Sequence, residues 1–159
     1  MDNLSSYLND HLAGSVGAVE LLKRLIETYE AKPLGRFFTE LLDEIEIDRG
    51  KLQELIDKLD VEESAVRKAG AWIAEKISRS KIQLDEAREG EMGLFLALEA
   101  LALGITGKLS LWRALAAASE ATVQLRALDY AELEQRAREQ FDRVEAKRLE
   151  VARKVLSPG

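Results

Sequence analysis

Residues 92–105 read MGLFLALEALALGI, an almost wholly apolar stretch that contains one charged side chain, Glu99. With about 14 residues the stretch is too short to cross a hydrocarbon layer of about 30 Å. We therefore predict a helix that is buried in a protein core. An ionised carboxylate is almost never buried unless it is paired, hydrogen-bonded or bound to a metal. We expect a partner for Glu99 on another helix.

The composition is that of a helical, acidic protein with a single domain over residues 1–159. A net charge of −6 argues against nucleic acid as a partner, because such binding depends on Lys and Arg contacts to phosphate. The chain has no cysteine, which excludes disulfides and thiolate metal sites. The first residues lack the basic and apolar parts of a signal peptide. We expect a cytoplasmic protein that does not bind a membrane.

Apolar residues recur at helical spacing along almost the whole chain, and no strand pattern occurs. The predicted helices cover residues 4–31, 34–59, 60–79, 91–125 and 129–155. Short turns join the first helix to the second and the fourth to the fifth, so each pair is expected to form an antiparallel hairpin. Asp129 is the predicted N-cap of the last helix. The sequence predicts an all-α, antiparallel four-helix bundle of two hairpins with an additional helix in the crossover.

Two short connections that flank one long crossover resemble the ferritin-like superfamily, which includes iron-storage, rubrerythrin-like and oxygenase proteins. In that family the di-metal site takes one Glu from each of two helices and a Glu-x-x-His pair from each of the other two. The acidic residues of this chain that match the pattern in position are Glu20, Glu44, Asp48, Glu99 and Glu145. The resemblance implies that these five carboxylates would hold any metal.

The chain departs from the family pattern at both histidines. Ile47 lies three residues after Glu44, and Arg148 lies three residues after Glu145. These are the positions where the family has histidine. Arginine stays charged at physiological pH and cannot coordinate a cation. We therefore predict that Glu99 is half of a buried ion pair with Arg148, Lys108 or Arg49, and that no cofactor is bound.

Other interpretations remain open beside this non-enzymatic bundle with an interior Arg–carboxylate cluster. One is a metal-binding oxidoreductase or storage-like protein that holds Fe or Mn with carboxylates alone. Another is a helical interaction module, a homodimer included, that uses an apolar face near Trp72 or near Phe37 and Phe38. The only histidine, His11, is expected at the edge of the core. Helix geometry places it about 13 Å along the axis from Glu20. The sequence does not identify a small-molecule ligand.

Overall fold

The computed structural model describes residues 3–61 and 90–158, and these residues form four α-helices without any strand. The helices are α1 (Asn3–Thr28), α2 (Pro33–Lys58), α3 (Glu91–Ser119) and α4 (Tyr130–Val155), with a short 3-10 helix at Val123–Ala127. The predicted all-α class is confirmed. The predicted helix over 60–79, Trp72 included, lies almost entirely outside the described residues.

The turn between α1 and α2 lies where the sequence predicts it. Pro33 occupies the first turn of α2, where its missing N–H leaves no hydrogen bond unmade. Ala31 adopts a left-handed backbone with φ of 63°, which reverses the chain. Gly35 packs directly against the backbone of Tyr29, and a Cβ atom at this position would overlap the Tyr29 carbonyl oxygen. The close approach of the two helices therefore depends on glycine at position 35.

The end of α3 differs from the prediction, which extended this helix to Leu125. The helix ends at Ser119, and the side chain of Arg126 folds back onto its C-terminal end. This guanidinium donates hydrogen bonds to the carbonyl oxygens of Ser119 at 2.8 Å and Glu120 at 2.7 Å. The predicted cap of the last helix is confirmed, because the Asp129 carboxylate accepts a hydrogen bond from the Glu132 N–H at 3.1 Å.

The core lies between two helical hairpins. Helix α1 packs on α2, α3 packs on α4, and α1 also contacts α3. The largest fully buried side chains come from α1, α2, α3 and the segment between α3 and α4, and they include Leu8, Leu12, Leu22, Phe38, Leu41, Leu98, Leu111, Trp112 and Leu125. Burial of Phe38 excludes it from an exposed interaction surface, whereas its neighbour Phe37 is only partly buried.

Helix α3 is the most apolar element in the described part of the chain. By length and composition alone, it is the one helix there that qualifies as a candidate membrane span. Within its most apolar window 44% of the residues are buried inside the bundle, and the core helix of a bundle passes the same test. We therefore interpret α3 as a core helix.

Candidate functional site

Glu99 does not lie in the interior, and the prediction of its burial is wrong. Its side chain is 48% exposed on α3, between buried residues on one side and the exposed Ala100 and Leu103 on the other. Glu99 forms an ion pair with Arg148, with 3.9 Å between Nη1 of Arg148 and Oε2 of Glu99. The expected partner is therefore present, but the pair lies at an exposed position. The reason is that α3 is apolar on its outer face as well as its inner one. Apolar neighbours in sequence therefore did not imply burial.

The other predicted carboxylates divide into separate groups. Glu145 binds Arg148 through two hydrogen bonds of 2.6 and 2.7 Å, and these bonds hold the pKa of Glu145 below its usual range. Glu20 is exposed on α1 and lies 3.9 Å from Lys23 on the same helix. Within residues 3–61 and 90–158, no three His, Asp or Glu side chains are grouped so that they could hold a metal ion.

Asp48 is the centre of the interior polar cluster. It lies on the buried face of α2 between Ile45 and Leu52, and its side chain is 1% exposed. Its Oδ2 atom accepts hydrogen bonds from Lys108 Nζ at 2.7 Å and from Gln140 Nε2 at 2.9 Å. Its Oδ1 atom accepts one from Arg136 Nε at 2.8 Å. The cluster therefore joins α2 to both α3 and α4.

A second ring of hydrogen bonds surrounds the Asp48 cluster. Lys108 also donates a hydrogen bond to the side-chain oxygen of Gln140 at 2.5 Å. Hydrogen bonds therefore join all three pairs among Asp48, Lys108 and Gln140. Arg136 donates in addition to the backbone carbonyl of Glu44 at 3.2 Å. The side chain of Glu44 binds Arg143 at 2.7 Å. Both oxygens of the Asp48 carboxylate are therefore satisfied, and the groups that satisfy them are held in place by further bonds.

Burial and charge act in opposite directions on the ionisable groups of the cluster. Burial raises the pKa of Asp48, but Lys108, Gln140 and Arg136 outweigh it and hold that pKa below its usual range. Burial lowers the pKa of Lys108, and the Asp48 carboxylate opposes this change. Hydrogen bonding by Arg143 lowers the pKa of Glu44. The cluster therefore places the buried carboxylate of Asp48 between the basic side chains of Lys108 and Arg136.

The sequence analysis gave Asp48 as one of five candidate metal ligands, but it did not identify the partners of Asp48. The signal was present, because Lys108 continues the buried α3 series of Leu101 and Ile105 at helical spacing. In the same way Gln140 lies between the buried Ala137 and Val144 on α4. A polar residue at a core position of each of three helices was the pattern to follow.

A cavity of about 280 Å³ lies between α1, α2 and α3, beside the Asp48 cluster. Exposed residues of α1 and α3, among them Asp10, Gly14 and Gly104, border its outer part. Buried residues form its inner wall, namely Ile45, Asp48, Leu52, Leu101, Ile105, Leu111 and Trp112. Lys108 and Arg49 bring cationic side chains to a wall that is otherwise mainly apolar.

Trp112, a residue that lines the cavity, has a hydrogen-bond donor without an acceptor among the described residues. Its side chain is 1% exposed, and its indole N–H has no acceptor in the part of the chain that the structure describes. A buried donor without an acceptor costs about 1–3 kcal/mol. Lys108 precedes Trp112 by one helical turn, so the two side chains are neighbours on the same face of α3. The indole nitrogen is inaccessible to a molecule of the size of water, so this donor lies within the packed core and not on the cavity surface.

His11 is located at the edge of the core, as expected, and it also lines the cavity. Its ring contacts Tyr7 edge to face, with 4.7 Å between the ring centroids. Burial lowers the pKa of His11, while the nearby Asp10 partly opposes this shift. The imidazole is therefore neutral at physiological pH and adds no charge to the cavity.

Comparison with known proteins does not assign this chain to a family. No family of known proteins, no curated protein and no solved structure matches this chain. Function is therefore inferred from the Asp48 cluster and from the cavity beside it.

Proposed function

We propose that this protein is a non-enzymatic helical bundle that binds a small, mainly apolar molecule in the cavity between α1, α2 and α3. The observation that carries the proposal is the cavity itself, which offers about 280 Å³ of space, an inner wall that is mainly apolar, and the cationic side chains of Lys108 and Arg49.

The size of the cavity suits a small organic molecule. An apolar cavity of about 150 Å³ is large enough to bind benzene, which has six non-hydrogen atoms. The cavity of this protein measures about 280 Å³. In proportion to benzene, it has room for about eleven non-hydrogen atoms.

Three glycines within helices support a role for this space. Gly14, Gly104 and Gly107 all line the cavity, and a Cβ atom added to any of them would meet no other atom within 4 Å. Glycine inside a helix costs about 1 kcal/mol relative to alanine. No close packing explains these positions, in contrast to Gly35. A site that must admit a molecule would explain why they carry no side chain.

Ligand titration of a variant with one tryptophan tests the proposal. In a Trp72→Phe variant the emission of Trp112 reports on the cavity, and 1-octanol or octanoate added to saturation should change it. Gly107→Leu should fill part of the space and weaken binding about tenfold or more, since even one lost methylene contact matters in a packed pocket. Gly50→Leu is the matched control, because Gly50 is also an open helical glycine but does not line the cavity. Equal binding by both leucine variants would refute the proposal.

A ferritin-like relationship is part of the same proposal. It is supported by two helical hairpins, α1–α2 and α3–α4, on either side of a long crossover. Lys108 and Arg136 would then supply, around Asp48, the positive charge that metal ions supply in active relatives. We accordingly expect no bound Fe or Mn.

Metal analysis of protein purified without a histidine tag, before and after titration with Fe(II) or Mn(II), tests that expectation. Stoichiometric metal that disappears in an Asp48→Asn or Glu99→Gln variant would instead favour the oxidoreductase or storage-like alternative. The homodimer remains a proposal of its own, and light scattering across a range of protein concentrations tests it.

A further inference from the structure

We infer that the molecule bound in the cavity is an apolar monocarboxylate whose carboxylate lies at Lys108 and Arg49. The inference depends on the proposed function, because it assigns a ligand class to the same cavity. It is carried by the hydrogen-bond donors at the inner wall, by the charge around them, and by the size and apolar character of the remaining space.

Hydrogen-bond donors of two basic residues lie at the cavity wall. A lysine ammonium has three N–H donors, and Lys108 directs hydrogen bonds to Asp48 and Gln140, which leaves one donor available. Arg49 lines the same cavity and brings further N–H donors to it. A carboxylate has two oxygens that accept several hydrogen bonds, so it suits such a set of donors.

The charge at the inner wall favours an anion over a neutral or cationic ligand. Asp48 is one carboxylate that faces two cations, Lys108 and Arg136. Arg49 adds a further positive charge, and His11 is neutral because burial lowers its pKa. The one other acidic residue among the described lining residues is Asp10, which is exposed to solvent at the outer part. A bound carboxylate would balance this positive charge.

The remainder of the ligand must be apolar. Leu52, Leu101, Ile105 and Leu111 offer no hydrogen-bonding side chain, and all four are buried. Burying an apolar chain against them strengthens binding by about fourfold for each CH₂. A carboxylate with a chain of about eight carbons matches the room for about eleven non-hydrogen atoms that the comparison with benzene gives.

Three ligands that differ only in the head group test the assignment by titration calorimetry of the whole protein. We expect octanoate to bind about tenfold more tightly than 1-octanol at a pH of about 7.5, because hydrogen bonds to charged groups are the stronger ones. Octylamine should bind more weakly than either. The single histidine provides a second readout, since NMR signals of His11 should shift on binding if the ligand occupies the cavity.

Variants identify the residues that hold the head group. Arg49→Met should weaken octanoate by about threefold to tenfold, the effect of one lost hydrogen bond, and leave the affinity for octanol unchanged. Lys108→Met should have the largest effect, but it also leaves Asp48 with one cation fewer and can prevent folding. The Arg49 variant keeps the inference testable in that case. Lys51→Met, an exposed α2 residue outside the cavity, is the control and should leave both affinities unchanged.

The outcomes separate the two proposals. If 1-octanol binds as tightly as octanoate and Arg49→Met changes nothing, the carboxylate assignment is overturned while binding to the cavity stands. If neither ligand binds, or if Gly107→Leu and Gly50→Leu bind equally well, the proposed function fails and the assignment fails with it. Tenfold preference for octanoate that is lost in Arg49→Met and kept in Lys51→Met supports both.

Discussion

The substitution Asp48→Asn should destabilise this protein by about 3 kcal/mol, the lower end of the range for removing one partner of a buried ion pair. The carboxylate is 1% exposed and accepts hydrogen bonds from Lys108, Gln140 and Arg136. The side chains of Lys108 and Arg136 retain 16% and 27% exposure, so water screens part of their uncompensated charge. For a chain of this length, a loss of about 3 kcal/mol lowers the melting temperature by roughly 6–12 °C.

Chemical denaturation with urea, followed by far-ultraviolet circular dichroism, measures this loss. The matched control is Glu99→Gln, because Glu99 is 48% exposed and lies 3.9 Å from Arg148. An exposed ion pair contributes about 0–1 kcal/mol. Equal losses for Asp48→Asn and Glu99→Gln would refute the assignment of Asp48 as the centre of the interior cluster.

The pH dependence of the same comparison follows from the pKa of Asp48, which lies below its usual range because its three donors outweigh the effect of burial. A depressed carboxylate pKa adds stability above the unfolded-state value of about 3.9, and this stability is lost as the pH falls through the folded-state value. The difference between wild type and Asp48→Asn should therefore shrink under acid conditions. A difference that stays constant down to the acid transition would contradict an ionised Asp48.

Three further predictions concern single residues elsewhere in the chain. Gly35→Ala should lower the free energy of unfolding by about 1–3 kcal/mol, as overpacking does, because its Cβ would overlap the Tyr29 carbonyl. Gly50→Ala has open space around the new Cβ and should raise the free energy of unfolding by about 0.5–1 kcal/mol. Urea unfolding measures both changes. NMR titration of His11 should give a pKa below the ordinary value of 6.5, so that its contribution to stability rises with pH up to about 6.5 and then stays constant. Asp129→Ala should remove a helix cap and cost about 1 kcal/mol in the same unfolding assay, and an unchanged midpoint would show that the cap contributes nothing.

Helical periodicity was enough to predict the fold class and most helix ends, because each helix carries apolar residues on the face that it buries. The turn at Pro33 and the cap at Asp129 have local chemistry that the sequence displays directly. The end of α3 was missed, and its contacts there come from Arg126, whose side chain returns to the helix from seven residues further on. Contacts of this kind are not visible in a periodic pattern.

The interior site was harder to predict, since it depends on how three helices are rotated about their axes. The sequence indicated that a carboxylate should meet a cation inside the bundle, and such a pair exists, but at Asp48 and Lys108. Glu99 was misplaced because its helix is apolar on two sides, with Leu103 turned to solvent at 68% exposure. A cavity cannot be read from a sequence at all, because it is defined by the side chains that fail to fill it.

A crystal structure of the protein soaked with ω-bromooctanoate would locate the ligand directly, because the anomalous signal of bromine marks the end of the apolar chain. We predict a bromine peak inside the cavity between α1, α2 and α3, with the carboxylate within hydrogen-bond distance of Lys108 Nζ and the guanidinium of Arg49. An empty cavity at a saturating concentration of the ligand, or bromine only on the outer surface of the bundle, would contradict binding at this site.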